Sequence, residues 1–271
     1  MVENQYQEID GIRVYHSDSS DKHDDYNPLG LTSLYNSENK HFWFLHRKKY
    51  IFDNIKNSIS KNARIIEIGA GTGNVSRFLR SKGYHNLCVG EMHFSGLKYA
   101  KSYGINDCYQ FDLLKSPFIS EFDVVCMFDV LEHIADPNAA LKNVRKMLRN
   151  DGLVVMTLPA HNWLWSREDS VAGHKKRYNR EMIENELESN GFEVVSVRYF
   201  FVLIVPLLYL RRLLNPDDGS DVKESEYSNE IAINKYINFG LKFICKLEDK
   251  LSGMLPNWFG GSLFVIGKKN D

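Results

Sequence analysis

Two glutamates and a glycine-rich turn are the residues whose types and spacing point most directly to chemistry. Glu67 lies in a short β-branched run that leads into Gly69-Ala-Gly71-Thr-Gly73-Asn74, and Glu91 ends the next such run, 20 residues after Gly71. Glycines let the backbone approach a ligand closely, and a helix opening at Asn74 adds a partial positive field. In an open parallel sheet, ligands sit beyond the carboxyl ends of the strands, where these glycines are placed. A dinucleotide fingerprint needs a sixth-position glycine where this chain has Asn74. A carboxylate at Glu67 suits an ammonium group and is a poor neighbour for a pyrophosphate. Glu91 can accept hydrogen bonds from both hydroxyls of a ribose. The pattern favours a nucleoside bearing an amino-acid tail over a dinucleotide. Taken alone, the glycines also fit a turn that merely joins a strand to a helix.

Further along come Phe111-Asp112-Leu113 and Phe122-Asp-Val-Val-Cys-Met-Phe128-Asp-Val-Leu-Glu-His133. With the glycine turn and Glu91, in that order and at that spacing, they resemble the class I S-adenosylmethionine (SAM)-dependent methyltransferases. The resemblance is closest to the branch with Leu-Glu-His after the fourth strand, and it covers about residues 41–200. It implies a Rossmann-like α/β fold: a seven-stranded, mostly parallel sheet whose last strand is antiparallel. It also implies SAM as cofactor, with Glu67 and Gly69 at the methionine end and Gly71 and Gly73 giving backbone access. Glu91 would take the ribose hydroxyls, Met92 would pack on the adenine, and Asp112 would accept from the adenine amine with Leu113 beside it. Phe128 would line the methionine side. The family's usual aspartate at the second strand is Glu91 here, a longer carboxylate able to do the same work.

Methyl transfer is an in-line displacement at an activated carbon, so alignment and desolvation dominate and no catalytic motif is obligatory. A general base helps when the acceptor is a hydroxyl or a protonated amine. His133 and His174 are the candidate bases; a backbone-bonded histidine at a helix start is the plainer reading of His133. His161, Trp163 and Trp165 follow the fifth strand and form either a substrate lid or a loop packed on the body. Gly173-His-Lys-Lys-Arg-Tyr178 is similar to a segment of that branch, which makes His174, Arg177 and Tyr178 candidates for an anionic acceptor. Lys175 and Lys176 read equally well as a solvated basic turn. The expected reaction is methyl transfer to an oxygen or nitrogen of a small-molecule or glycan-type acceptor. A non-catalytic SAM-binding partner protein is the alternative, and Asn74 and Glu67 disfavour a nicotinamide oxidoreductase.

The elements that must position these groups alternate. Strands are expected at Arg64–Ile68, Leu87–Glu91, Cys108–Phe111, Asp123–Phe128, Gly152–Leu158 and Phe192–Phe200, and helices near 41–58, 74–81, 94–103, 138–148 and 180–190. That rhythm means right-handed βαβ units and a parallel sheet covered on both faces. Residues 1–40 read as a loose arm with an acidic stretch at Asp18–Asp25 and a turn at Asn27-Pro28. Residues 41–200 form the SAM-binding core, 201–258 a helical insertion with a long helix from Ile231 to Leu251, and 259–271 the final strand of the core, Leu263–Lys268. The apolar run Phe200–Leu210 is too short to span a bilayer, which needs roughly 20 residues. Followed by Arg211-Arg212, segment 200–214 can lie on an anionic membrane, cap the pocket or make a homodimer contact.

A formal net charge of -1 over 271 residues gives no long-range attraction for nucleic acid, so a nucleic-acid partner is not expected. The four cysteines, Cys88, Cys108, Cys126 and Cys245, lie far apart without CxxC spacing. Cys88 and Cys126 sit inside apolar strand-like runs and predict buried free thiols, and the set predicts no zinc or other metal site and a reducing, cytoplasmic compartment. The N-terminus lacks the basic-then-apolar order of a signal peptide.

Overall fold

The computed structural model describes residues 6–15, 29–222 and 233–270. The acidic stretch Asp18–Asp25, the Asn27-Pro28 turn, residues 223–232 of the insertion and, with them, the expected helix start at Ile231 lie outside the described residues. In chain order the strands are β1 (Gln7–Ile9), β2 (Ile12–Val14), β3 (Ile65–Ile68), β4 (Leu87–Glu91), β5 (Cys108–Gln110), β6 (Phe122–Phe128), β7 (Leu148–Pro159), β8 (Phe192–Phe200) and β9 (Ser262–Lys269). The helices are α1 (Leu29–Ser37), α2 (Phe42–Ile55), α3 (Asn74–Ser81), α4 (Phe94–Ser102), α5 (Pro137–Met147), α6 (Arg167–Ala172), α7 (Arg180–Ser189), α8 (Val205–Leu214) and α9 (Lys235–Leu251).

All strands join one sheet in the order β1-β2-β5-β4-β3-β6-β7-β9-β8. β3 pairs in parallel with β4 on one side and β6 on the other, so the strand order reverses there. β9 runs antiparallel to both β7 and β8, as expected for the last strand. The central strands are buried on both faces, and their pleat sends alternate residues to opposite layers. Ile66 and Ile68 join Val125 and Met127 in a core containing residues of α5 and α7. Ile65 joins Val124, Cys126 and Phe128 in the core containing residues of α2, α3 and α4. Glu67 shares the parity of Ile65, which explains how its carboxylate meets Ser76 on α3.

The sheet has nine described strands where seven were expected, and the two additions come from the stretch read as a loose arm. Asp10 and Gly11 take φ of 53° and 70°, the two positive values of a type I′ turn, which closes β1 onto β2. β2 then extends the sheet in parallel with β5, and the Arg13 guanidinium donates to the Tyr109 hydroxyl at 3.1 Å. α1 is also ordered: Tyr35 stacks on Tyr99 of α4 with ring centroids 4.3 Å apart. The apolar run at 200–214 divides in two. Phe200, Phe201, Val202, Ile204 and Val205 are buried, whereas α8 beyond Val205 is largely exposed. No helix among the described residues is long and apolar enough to cross a membrane.

Candidate active site

A cavity of about 840 Å³ opens beyond the carboxyl ends of β3, β4, β5 and β6, at the reversal of strand order. The glycine turn forms its floor. Gly69, Gly71 and Gly73 have φ of 61°, 54° and 78°, a region open to glycine and strained for other residues. A side chain at 69 would also strike Val130 at 2.6 Å. Glu91 fixes this turn: one oxygen accepts from the Gly71 amide at 2.8 Å and the other from the Met92 and His93 amides at 2.7 and 3.0 Å. Asp112 caps the short turn Leu113–Lys115 by accepting from the Leu114 amide at 2.8 Å. Glu67 is buried and accepts from the Ser76 hydroxyl. Burial pushes its carboxyl up to about 7, against the pull of the Ser76 hydroxyl and the Arg47 charge.

A second set of polar groups faces the same cavity beyond β6. His174 Nδ1 lies 2.8 Å from Asp169, whose carboxylate also takes Arg177 Nε and Nη2 at 2.8 and 2.9 Å and the Ser166 amide at 2.9 Å. Burial alone would raise the Asp169 carboxyl, but His174 and Arg177 hold it below its ordinary value, so it stays ionised. An ionised acceptor at Nδ1 selects the tautomer protonated there and leaves Nε2 with its lone pair. That Nε2 lies 3.9 Å from Glu132, which is fully buried and whose carboxylate oxygens have no hydrogen-bond partner among the described residues. Burial, then the neighbouring Asp129 charge, raises the Glu132 carboxyl well above its usual range. His133 packs edge-on against His174 with centroids 4.8 Å apart.

Glu67, Gly69, Gly71, Glu91, Met92, Asp112, Leu113 and Phe128 all line this cavity, together with His133, His174 and Arg177. The other candidates do not. Gly73 is the N-cap of α3, and a side chain there would meet Ala100 at 2.8 Å, so packing requires its glycine. Tyr178 is wholly buried in the hydrophobic core, because its backbone pairs with Pro159 and His161 and turns the ring inward. His161 lies flat on Tyr199 and stacks on Trp163, while the Trp165 indole donates to Asp217 at 3.0 Å. Trp165 is thus held against the body, whereas Trp163 remains 44% exposed. Arg177 reaches the wall, yet its donors are engaged by Asp169 and by the Ala160 carbonyl at 3.1 Å, so it anchors Asp169.

Several cavity residues carried no sequence signal. Arg47 comes from α2 and pairs with Asp129, which has a strained φ of 57° just past β6 and accepts from the Thr157 hydroxyl at 2.8 Å. Glu38, beyond α1, accepts from the Thr72 hydroxyl and from Tyr103 at 3.1 Å, and Leu31 and Leu34 of α1 lie against Gly71. The capping-box pattern Ser166-x-x-Asp169 was the one available hint to Asp169.

Three carboxylates, Glu67, Glu91 and Asp112, thus stand near successive strand ends around a glycine floor. Residues 40–197 match the family described as "Methyltransferase domain". The chain is 28% identical over 122 residues to the ubiquinone biosynthesis O-methyltransferase of Glaesserella parasuis, a match covering 41% of this chain and 50% of that protein. The match therefore spans about half the length of that curated relative. Among solved structures, a methyltransferase in complex with the Haloferax volcanii Trm112 activator superposes with a TM-score of 0.60 at 14% identity, covering 92% of this chain and 97% of that one. Haemonchus contortus phosphoethanolamine N-methyltransferase 2, bound to phosphomonomethylethanolamine and S-adenosylhomocysteine, gives 0.54 at 17% identity, covering 83% and 52%. At such identities the structural likeness speaks for the fold. The chain belongs to the methyltransferase-domain family, as a class I, SAM-dependent member.

Proposed function

We propose that this chain methylates a hydroxyl oxygen carried on an acceptor with an apolar body, using His174 as general base. The observation that carries the reading is the Asp169–His174 pair, set in the wall of the cavity that Glu67, Glu91 and Asp112 also line. The donor set fits SAM. Glu67 would face the ammonium of the amino-acid tail, Glu91 the ribose hydroxyls and Asp112 the adenine amine, with Met92 and Leu113 along the base and Phe128 by the methionine. SAM would supply a sulfonium-activated methyl group, its S–CH3 bond breaking with the electron pair left on sulfur as S-adenosylhomocysteine departs. A hydroxyl must lose its proton as its oxygen forms the new O–CH3 bond, and His174 Nε2 takes that proton. Asp169 keeps the imidazole in the required tautomer and stabilises the imidazolium, Arg177 holds Asp169, and His133 buttresses the ring. Burial disfavours a second anion at Glu132 beside Nε2.

Leu164, Leu207, Leu208, Ile237 and Leu241 make the acceptor side of the cavity apolar. Such a lining suits a hydroxyl on a ring or lipid-like body better than a free sugar. The name of the Glaesserella relative, an O-methyltransferase, supports oxygen as the acceptor atom. The test is a tritiated-methyl transfer assay from SAM to three probes: a catechol, methyl glucoside and ethanolamine. Transfer to the catechol, lost in His174→Ala while SAM still binds, is the expected result. Transfer to ethanolamine alone, or an active His174→Ala variant, would overturn it.

A further inference from the structure

α9 carries two rows on its outer side. Tyr236, Phe239, Phe243 and Leu247 recur at helical spacing and are 73%, 75%, 66% and 41% exposed. Beside them, again at helical spacing, stand Lys235, Lys242, Lys246 and Lys250, which form no ion pair among the described residues. The opposite side is the packed one. Cys245 and Glu248 are buried there, Glu248 accepts from the Leu203 amide at 2.9 Å, and Asp249 pairs with Lys49 of α2 at 3.2 Å. The exposed rows are therefore not a core face awaiting a neighbour within the fold. Leu210, Leu213 and Leu214 of α8, with Met254 and Trp258 beyond α9, add further exposed apolar area. Single exposed apolar residues need no explanation, but a run of this length marks a contact surface.

We propose that the outer face of α9, joined by the end of α8, seats the protein on the surface of an anionic lipid bilayer. An apolar row flanked by lysines matches the layered chemistry of a membrane interface, with aromatic rings at the acyl boundary and ammonium groups among the phosphates. The charge is local, since the chain as a whole carries -1. A second copy of the same face is a poorer partner, because it offers the lysines no free carboxylate: on α9 Glu248 is buried and Asp249 is already paired. Leu207, Leu208 and Arg211 of α8 and Ile237 and Leu241 of α9 line the cavity, so both helices form part of its wall. Phe200, Phe201, Val202, Ile204 and Val205, in the first half of the segment that sequence alone pointed to, are core, and the proposed contact centres on α9.

The test is co-sedimentation of the full chain with phosphatidylcholine vesicles and with vesicles containing one part phosphatidylglycerol in three, at low and at moderate salt. Stabilisation by S-adenosylhomocysteine serves as the folding check for every variant. Binding to the anionic vesicles is expected to exceed binding to the neutral ones at least tenfold and to weaken with salt. The triple variant Lys235→Gln/Lys246→Gln/Lys250→Gln should lose roughly a hundredfold, at about fivefold per lysine. Phe239→Ser/Phe243→Ser should lose binding at every salt concentration. Equal partition to both vesicle types, or full binding by both folded variants, would overturn the proposal. So would a dimer in sedimentation equilibrium that Phe239→Ser/Phe243→Ser dissolves, since the face would then belong to a second copy.

Discussion

Glu67→Gln should make the cofactor-free protein more stable and its cofactor binding weaker. Moving the carboxyl from its ordinary 4.5 to about 7 by burial means that ionising it in place costs on the order of 3 kcal/mol, at about 1.36 kcal/mol per pH unit. Because the folded value is raised, the protonated side chain favours folding below 4.5, and that contribution is lost as pH rises through 7. Glutamine mimics the protonated form at every pH and keeps an acceptor for the Ser76 hydroxyl. The two proteins should therefore be close in stability at pH 5. At pH 8 the variant should lead by about 3 kcal/mol, a gap of roughly 6–10 °C in Tm for a chain of this size. Binding should change in the opposite sense. A cationic amino-acid tail pairs with the ionised carboxylate, so wild-type affinity for SAM should fall by up to tenfold per pH unit below 7, whereas the variant binds more weakly and without that pH dependence. Scanning fluorimetry across pH 5–8 and calorimetric titration with SAM read the two effects. A Tm gap that stays constant between pH 5 and 8 would refute the reasoning, because it would mean that Glu67 does not change protonation there.

Glu91→Ala removes the acceptor of the Gly71, Met92 and His93 amides and should cost SAM binding about 3 kcal/mol, at least a hundredfold in Kd by calorimetry; unchanged affinity would mean the ribose contact lies elsewhere. Asp169→Asn offers an amide donor to His174 Nδ1 and should lower kcat by at least about a hundredfold, with KM for SAM within about twofold; a matching loss of SAM binding would make Asp169 merely structural. His41 caps α2 by accepting from the Trp43 amide at 3.2 Å, and burial, then the charges of Arg211 and Lys242, push its imidazole down to about 4. Its neutral form thus stabilises the fold above pH 6.5, and that contribution is lost as pH falls toward 4. His41→Asn retains a capping group and should reduce the loss of denaturant stability between pH 7 and 5; an identical loss would exclude His41 as a source.

The glycine-turn half of the cavity was legible because its geometry is local. α3 and β4 begin and end where glycine, asparagine and glutamate signals put them, with Glu67 one residue before the end of β3, Glu91 the last residue of β4 and Asp112 two residues past β5. The acceptor half was less legible because it is assembled from distant segments. Arg47 reaches the cavity from a helix whose own pattern reports only packing, and Asp169 carries a capping signal that outranks any hint of catalysis. Tyr178 was misplaced because a motif read residue by residue does not say which side chains point inward, and a single parallel bridge between Ala160 and Tyr178 decides it. The edge hairpin was overlooked although Asp10-Gly11 is a strong turn signal, since strands of three residues leave almost no alternation to read.

The lean of α1 on the glycine turn bears on how fragments of this protein behave. Leu31, Leu34 and Glu38 stand upstream of residue 40, where the match to the family begins, yet they wall one side of the cavity beside the glycine turn. A recombinant piece trimmed to that homology boundary would retain β3 through β9 and still present its ligand with a chamber breached on one flank. Ligand screens on such a piece would under-report affinity, and the shortfall would be traced wrongly to the strand-end carboxylates.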